Sequence, residues 1–202
     1  MKLYYSNYSV FSRKVRMVIS TLGLYERIEF ISIHAENNLF IAKVNPLKQV
    51  PVLIIDENTN LFGAIPICQY LNELAEGQSI FPKEKSEYFQ SLRLEALADG
   101  VIPLIDQIVE ERFRPKEQQL ADLQAENFEL IDQSMQWLEA HISDFNSNIT
   151  IGEISVACFL DYLGFQFRSE VADWPDKYPQ LGKWFDDFKH QEIMQSTKYH
   201  SI

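Results

Sequence analysis

The sequence lacks the features of a secreted or membrane protein. Among 202 residues there are only two cysteines, Cys68 and Cys158, which lie far apart within apolar helical patterns. This usage indicates buried thiols in a reducing compartment, with a disulfide as a minor alternative. No apolar run approaches the ~18 residues of a membrane-spanning helix. The chain enters a strand-like pattern at Met1–Tyr5, which leaves no room for a signal peptide. We therefore expect a cytoplasmic protein with no membrane partner.

Basic residues are in the minority. The chain has 18 Lys and Arg against 29 Asp and Glu, a formal net charge of −11 at pH 7. An acidic surface repels phosphates, so nucleic acid is not expected as a partner. Residues 1–76 hold seven residues of each sign, so the whole excess of acid falls on the rest of the chain. This break near residue 77 predicts a boundary between two parts.

Histidine is also scarce, and its positions do not indicate a metal site. The four histidines are scattered without metal-ligand spacing, so surface or helix-capping positions are expected for them. They are His34, His141, His190 and His200.

In the first third of the chain, segments whose apolar residues recur every 2 residues, as in strands, alternate with segments whose apolar residues recur every 3.6 residues, as in helices. Strands are predicted at Lys2–Tyr5, Ile28–Ile33, Val52–Ile55 and Leu61–Phe62. Helices are predicted from the loop after the first strand to a stop at Gly23 and over Ala64–Ala75, and residues 36–44 are predicted as a short helix or an irregular connection. The order β-α-β-α-β-β-α predicts a thioredoxin-like α/β domain over residues 1–76.

The rest of the chain, after a linker at residues 77–85, has only the helical period. We expect an all-helical domain over residues 86–202, with the helices Ser86–Phe113, Pro115–Ile142, a core helix ending near Phe167, and Pro179–His190. Pro103 should kink the first of these helices. Thr150 and Glu153 have the spacing of a capping box, which predicts the start of the core helix.

The segment Asn45–Ile55 contains a proline directly before a run of β-forming residues. Pro51 is a candidate for a cis peptide bond after Val50, which would turn the Val50 backbone outward to pair with an extended peptide. The alternative is a proline that merely opens an edge strand.

The loop before the first helix has a serine at each end of a Cys-x-x-Cys spacing. In a thioredoxin fold this loop would carry a redox dithiol, but Ser9 and Ser12 exclude direct dithiol exchange. Ser9 can simply cap the helix. Alternatively, its hydroxyl and the helix dipole can stabilise the thiolate of a ligand and lower the pKa of that thiol. Tyr8, in the same loop, is a second candidate for contacting a thiolate.

Several segments in this order resemble the cytosolic glutathione S-transferase family over nearly the full chain, and especially a group of small bacterial members with poorly defined substrates. They are MKLYYS at residues 1–6, SVFSRKVR at 9–16, NPLKQVPVL at 45–53, EALADG at 95–100, the capping box at Thr150, and YPQLGKW at 178–184. The resemblance implies a thioredoxin-like domain followed by a helical bundle.

The resemblance also implies roles for individual residues. Ser9 would stabilise the thiolate of glutathione, the co-substrate, and Val50 before a cis Pro51 would hold its cysteinyl part. Gln49 would lie near its glycyl or γ-glutamyl end. A small electrophile would occupy a cleft between the domains, with Tyr8 and Phe11 as candidate contacts. Asp99 is a further candidate by its helical spacing, with a solvated or ion-paired helix face as its alternative. The resemblance further implies a homodimer and no metal.

One pair of residues departs from the family pattern. Gly63 and Ala64 stand where the family has an acidic or amide residue followed by serine, which hold the γ-glutamyl ammonium and carboxylate. Backbone N–H groups at this helix start can still bind the carboxylate, but no side chain there can bind the ammonium. We therefore expect a glutathione transferase or peroxide-reducing enzyme, with a non-catalytic binding or regulatory protein of the same fold as the alternative.

Overall fold

We describe the protein from a computed structural model that covers residues 1–33, 38–146 and 148–199. These residues form two compact units, one of residues 1–82 with 191–199 and one of residues 83–190. Two of the histidines considered above, His34 and His200, lie outside the described residues. Within these ranges no helix combines the length and apolar character of a membrane span. Cys68 and Cys158 are buried free thiols, as expected.

The first unit is built on a four-stranded mixed sheet. Its elements are β1 (Lys2–Tyr5), α1 (Val10–Thr21), β2 (Glu29–Ser32), α2 (Asn38–Val44), β3 (Val52–Ile54), β4 (Asn60–Phe62) and α3 (Ala64–Leu74). The strand order is β2-β1-β3-β4, with β1 parallel to β2 and antiparallel to β3, and β3 antiparallel to β4. The predicted order of elements and the thioredoxin-like fold are thus confirmed.

The central strands and the helices α1 and α3 form the core of this unit. Leu3 of β1 and Leu53 of β3, which are paired across the sheet, are fully buried. Val15 and Val18 of α1 and Ile67 of α3 are also fully buried. The 3.6-residue spacing of the apolar residues puts them on one face of each helix, so burying that face fixes both helices on the sheet.

The C-terminal segment packs on α1 of the first unit. It contains α9 (Glu192–Gln195). The guanidinium of Arg13, whose residue is only 1% exposed, donates hydrogen bonds to the Met194 carbonyl oxygen at 3.2 Å and to the Thr197 hydroxyl at 3.4 Å. It also lies 4.5 Å from the centre of the Tyr199 ring. The sequence assigned residues 86–202 to one helical domain, whereas residues 191–199 belong with the α/β unit.

The second unit is entirely helical in the described residues. It consists of α4 (Lys85–Phe113), α5 (Ala121–Ala140), α6 (Ile151–Gln166), α7 (Trp174–Lys177) and α8 (Pro179–Lys189). Pro103 lies inside α4. The predicted capping box is confirmed, with the Thr150 hydroxyl accepting from the Gly152 N–H and the Glu153 carboxylate accepting from the Thr150 N–H.

The predicted start of the second long helix at Pro115 is wrong. A short 3-10 turn follows Pro115, and Gln119 is extended, so α5 begins only at Ala121. The carboxylate of Glu111 accepts from the Leu120 N–H at 2.8 Å, which fixes the turn outside the helix. Leu120 is consequently 54% exposed.

Candidate functional site

Three loops meet at one end of the sheet in the first unit. In the sheet register Tyr4 of β1 and Phe62 of β4 both pair with Val52, the first residue of β3. The loop after β1 carries Ser9, the residues before β3 are Val50 and Pro51, and Gly63 follows β4 directly. The topology therefore brings together loops that lie up to 54 residues apart in the chain, the distance from Ser9 to Gly63.

The peptide bond between Val50 and Pro51 is cis, as predicted. The strand that follows, β3, is paired on both sides, so the alternative of a proline opening an edge strand is wrong. Among the described residues, none makes a hydrogen bond to the backbone N–H or C=O of Val50. Both groups are consequently free to pair with an extended ligand.

The loop before this bond is held by Asn45, a polar residue that is only 2% exposed. Its side-chain oxygen accepts from the Leu47 N–H at 3.0 Å, and its amide donates to the Gln49 carbonyl at 2.8 Å. Lys48 has a φ of 56°, and its N–H bonds to the Asn45 carbonyl at 2.9 Å. The Asn-Pro pair at residues 45 and 46 is a recognised start of a turn and is the sequence signal for this role of Asn45.

Ser9 occupies the N-cap position of α1. Its backbone is extended (φ −89°, ψ 119°), and its hydroxyl oxygen accepts a hydrogen bond from the Ser12 N–H at 3.1 Å. A serine hydroxyl has one proton and two lone pairs, so a capping Ser9 still has its proton to donate. The capping interpretation is confirmed, and it is compatible with the proposed contact to a thiolate. The first turn of α1 has no acidic residue to neutralise the positive end of the helix.

The candidate residues Tyr8, Phe11 and Gln49 range from partly buried to exposed. Tyr8 is 43% exposed, and its N–H donates to the Ser6 hydroxyl at 3.2 Å. Phe11, in the first turn of α1, is partly buried, with the Lys14 ammonium 5.9 Å from its ring centre. Gln49, at the end of the Asn45 turn, has an exposed side chain.

Gly63 adopts a backbone conformation that favours glycine. It is the N-cap of α3, with φ 83° and ψ 141°, and it offers no side-chain cap. A Cβ added there would meet only ordinary contacts, at 3.7 Å from Pro66 and beyond. The positive φ, and not crowding, is therefore what disfavours other residues. Ala64 and Ile65 supply the N–H groups of the first turn, since Pro66 has none.

Asp99 is the one predicted site residue outside the first unit. It lies on α4 and is partly buried. Its part in binding an electrophile remains a prediction.

His141 and His190 have helix-capping roles. His141 is the C-cap of α5, and its Nδ1 lies 2.8 Å from the Trp137 carbonyl oxygen. His190 is the C-cap of α8, and its Nδ1 lies 2.6 Å from the Asp186 carbonyl oxygen. In the part of the chain that the structure describes, no three His, Cys, Asp or Glu side chains are grouped to hold a metal ion.

A thioredoxin-like unit with a cis proline before β3, followed by a helical unit, defines the glutathione S-transferase fold. Two family models match the chain, the glutathione S-transferase N-terminal domain over residues 3–79 and the C-terminal domain over residues 118–187. The chain belongs to the glutathione S-transferase family.

Relatives of this family match the whole chain. YibF of Escherichia coli K12, an uncharacterized GST-like protein, is 29% identical over 202 residues, and the match covers 98% of each chain. A glutathione transferase family member from Pseudomonas fluorescens Pf-5, crystallised with bound glutathione, is 26% identical with a TM-score of 0.91 and 99% of each chain covered. A glutathione S-transferase from Methylobacillus flagellatus KT with glutathione bound is also 26% identical, with a TM-score of 0.88, covering 98% of this chain and 99% of that one.

Proposed function

We propose that this protein binds glutathione at the sheet end formed by Ser9, Val50 and Gly63, and that the glutathione thiolate attacks small electrophiles there. In the reaction a carbon–sulfur bond forms, and the leaving group departs with the electron pair. Reduction of a peroxide by glutathione is a second reaction that the same thiolate supports. The free backbone of Val50 beside a cis proline is the observation that carries the proposal. The glutathione bound to the two crystallised relatives supports it.

The cysteinyl part of glutathione would pair with Val50 as one more strand. The Val50 N–H donates to the ligand and its C=O accepts from it, which holds the peptide in an extended conformation. Asn45 acts as a positioning residue, because it fixes the turn that leads to Val50. The exposed Gln49 amide is available to the glycyl or γ-glutamyl end.

The thiolate would lie at the start of α1. There the Ser9 hydroxyl donates its proton to sulfur while its oxygen keeps the bond from the Ser12 N–H. The positive end of the helix adds to this stabilisation. Together these effects lower the pKa of the glutathione thiol from its ordinary ~8.5, so that more of the nucleophile is ionised at pH 7. Tyr8 and Phe11, next to Ser9, are the proposed contacts of the electrophile.

The γ-glutamyl end would be bound only in part. The N–H groups of Ala64 and Ile65 can hold its carboxylate at the start of α3. Neither Gly63 nor Ala64 has a side chain that can hold the ammonium. One missing charge-assisted hydrogen bond costs about 1.5–3 kcal/mol, or roughly 10–150-fold in affinity. We therefore expect a Kd for glutathione well above that of a relative with an acidic residue at this position.

The second candidate function is a binding protein without catalysis, and the Gly63–Ala64 departure is the observation that favours it. Calorimetric titration with glutathione, followed by an assay with an aryl halide electrophile, separates the two candidates. Binding together with conjugation supports the enzyme. Binding without turnover on aryl halides, other electrophiles or peroxides supports the binding protein, and no binding overturns the glutathione site. A cytoplasmic location, where glutathione is abundant, is part of the proposal.

A further inference from the structure

A pocket of about 400 Å³ lies in the first unit. It is lined by residues of β1, α1, the turn before β2, β2 itself and the C-terminal segment. None of its lining residues belongs to the loops that carry Ser9, Val50 or Gly63. Its volume is in the range of sites that hold small organic ligands, roughly 300–1,000 Å³.

Three aromatic rings line this pocket. The ring centres of Tyr25 and Phe30 are 4.8 Å apart, with their planes at 30°. Tyr5 meets Phe30 edge-on, with centres 6.1 Å apart. Tyr25 is 63% exposed, so much of its side-chain surface is open to solvent. A flat apolar ligand would cover this exposed surface.

A fixed arginine lines the same pocket. The Arg16 guanidinium lies 4.8 Å from the centre of the Tyr5 ring, and it donates to the Asn7 side-chain oxygen at 3.1 Å and to the Ser196 carbonyl at 3.4 Å. A guanidinium has five N–H donors, so these two bonds orient the group and leave others to a ligand. Among the described residues, no carboxylate forms an ion pair with Arg16.

Partial burial makes this cation a favourable partner for an anion. Burial removes part of the hydration of the Arg16 guanidinium and lowers its pKa from the ordinary value, and repulsion by Arg13 lowers the pKa further. A bound carboxylate would restore the lost stabilisation and can engage the guanidinium with two parallel hydrogen bonds. The Ser20 hydroxyl, one turn further along α1, adds a polar group at the same wall.

The charged residues that line the pocket favour a ligand with a single negative charge. Glu192 also lines it, so one cation and one anion face the same space. A phosphate monoester or a dicarboxylate would bring a second negative charge towards Glu192, whereas Arg16 is the cation among the lining residues. A monocarboxylate avoids this repulsion.

We infer that this pocket binds planar aromatic monocarboxylates, with the carboxylate on Arg16 and the ring against Tyr25 and Phe30. Calorimetric titration with 2-naphthoate tests the assignment, and 2-naphthamide is the matched neutral probe of the same shape. We expect 2-naphthoate to bind with a Kd of about 1 mM or below, and 2-naphthamide to bind at least ~10-fold more weakly. Equal binding of the two probes, or no binding of 2-naphthoate up to ~10 mM, would overturn it.

Substitutions of single residues test where 2-naphthoate binds. Arg16→Met should weaken 2-naphthoate binding at least ~10-fold, whereas Lys2→Met, which removes one positive charge from β1 outside the pocket, should leave it unchanged. Because Arg16 also contacts the C-terminal segment, Tyr25→Ala provides a second test at an exposed position. It should weaken binding by roughly 2–10-fold through the lost ring contact. Unchanged affinity in Tyr25→Ala, or equal losses in Arg16→Met and Lys2→Met, would overturn the location.

Titration with 2-naphthoate in the presence of glutathione tests this inference independently of the proposed function. Saturating glutathione, or the change Ser9→Ala, should leave the 2-naphthoate affinity unchanged. Competition between the two ligands would place the acid in the glutathione site and overturn the second pocket. If glutathione does not bind at all while 2-naphthoate binds with the expected variant effects, the proposed function fails and the pocket stands.

Discussion

The side-chain amide of Asn45 donates a hydrogen bond to the backbone carbonyl of Gln49 across 2.8 Å. The same side chain accepts from the Leu47 N–H. These two bonds close the turn that precedes the cis bond at Pro51. The buried Asn45 thereby holds the backbone that leads to Val50.

Asn45→Ala should lower the free energy of unfolding by about 1–3 kcal/mol, because the two hydrogen bonds of a buried side chain are lost. It should also weaken glutathione binding by ~10-fold or more, since the Val50 backbone is no longer held in place. Chemical denaturation and calorimetry measure the two effects. Asn58→Ala, in an exposed turn, is the control and should change neither quantity. An Asn45→Ala protein with unchanged glutathione affinity would show that the turn does not position the ligand.

Ser9→Ala should reduce turnover by at least ~10-fold, the loss expected for a catalytic hydrogen bond of ~1.4 kcal/mol. Glutathione affinity should change little. The lost cap on Ser12 should in addition lower stability by about 1 kcal/mol. Ser9→Thr keeps both the cap and the proton, and should retain most of the activity. If Ser9→Ala turns over as fast as the wild type, the role moves to Tyr8 or to backbone donors alone.

The change Gly63→Glu with Ala64→Ser should tighten glutathione binding by roughly 10-fold or more, because a regained charge-assisted bond is worth about 1.5–3 kcal/mol. The structure also predicts that this double change lowers the stability of the protein. The φ of 83° at Gly63 makes a non-glycine residue strained by about 1–3 kcal/mol, so the melting temperature should fall.

Gly63→Ala is the control for this strain, because it carries the same backbone cost without a carboxylate. It should be destabilised without binding glutathione more tightly. Wild-type protein that already binds at low micromolar concentration, with no gain from the double change, would mean that another residue holds the ammonium.

Tyr162→Phe should destabilise the helical unit by about 1–3 kcal/mol, because the hydroxyl of this buried residue donates to the Asp106 carboxylate at 2.7 Å. Asp106→Asn keeps an acceptor for that hydroxyl and removes the charge, so it should cost less. Tyr25→Phe, at an exposed position, is the control. Thermal unfolding of the three variants at one pH gives the comparison. A larger loss in Asp106→Asn than in Tyr162→Phe would contradict this account.

The Asp106 carboxyl should make the free energy of unfolding depend on pH. Burial raises the pKa of Asp106, the Tyr162 hydrogen bond opposes this shift, and repulsion by Glu110 adds to it. Because the folded pKa lies above the unfolded one, the native state holds more protons between the two values. The free energy of unfolding should therefore fall as pH rises through the folded pKa. Asp106→Asn should be more stable relative to the wild type above this range than below it, and a constant difference would contradict the raised pKa.

We expect a homodimer, from the family and from the long acidic helical region. Sedimentation at micromolar concentration should give about twice the 23.6 kDa of one chain. A mass near that of a single chain would contradict the prediction.

The sequence by itself determined the features that depend on a few neighbouring residues. The hydrophobic periods placed β1 and α1, the Val-Pro pair before a strand located the cis bond, and Thr150 with Glu153 marked the start of α6. Each of these rests on interactions within about one turn or one strand, and so it can be read from local spacing.

Only the tertiary structure decided the features that depend on distant partners. Arg13 and Met194 are 181 residues apart, and no local pattern places the C-terminal segment on α1. The positive φ of Gly63 follows from the path between β4 and α3, and the pocket at Arg16 exists because Glu192 and Phe30 are folded beside α1. Burial and hydrogen bonding among remote segments fix these positions, and the free energy that selects them is gained only when the whole unit is packed.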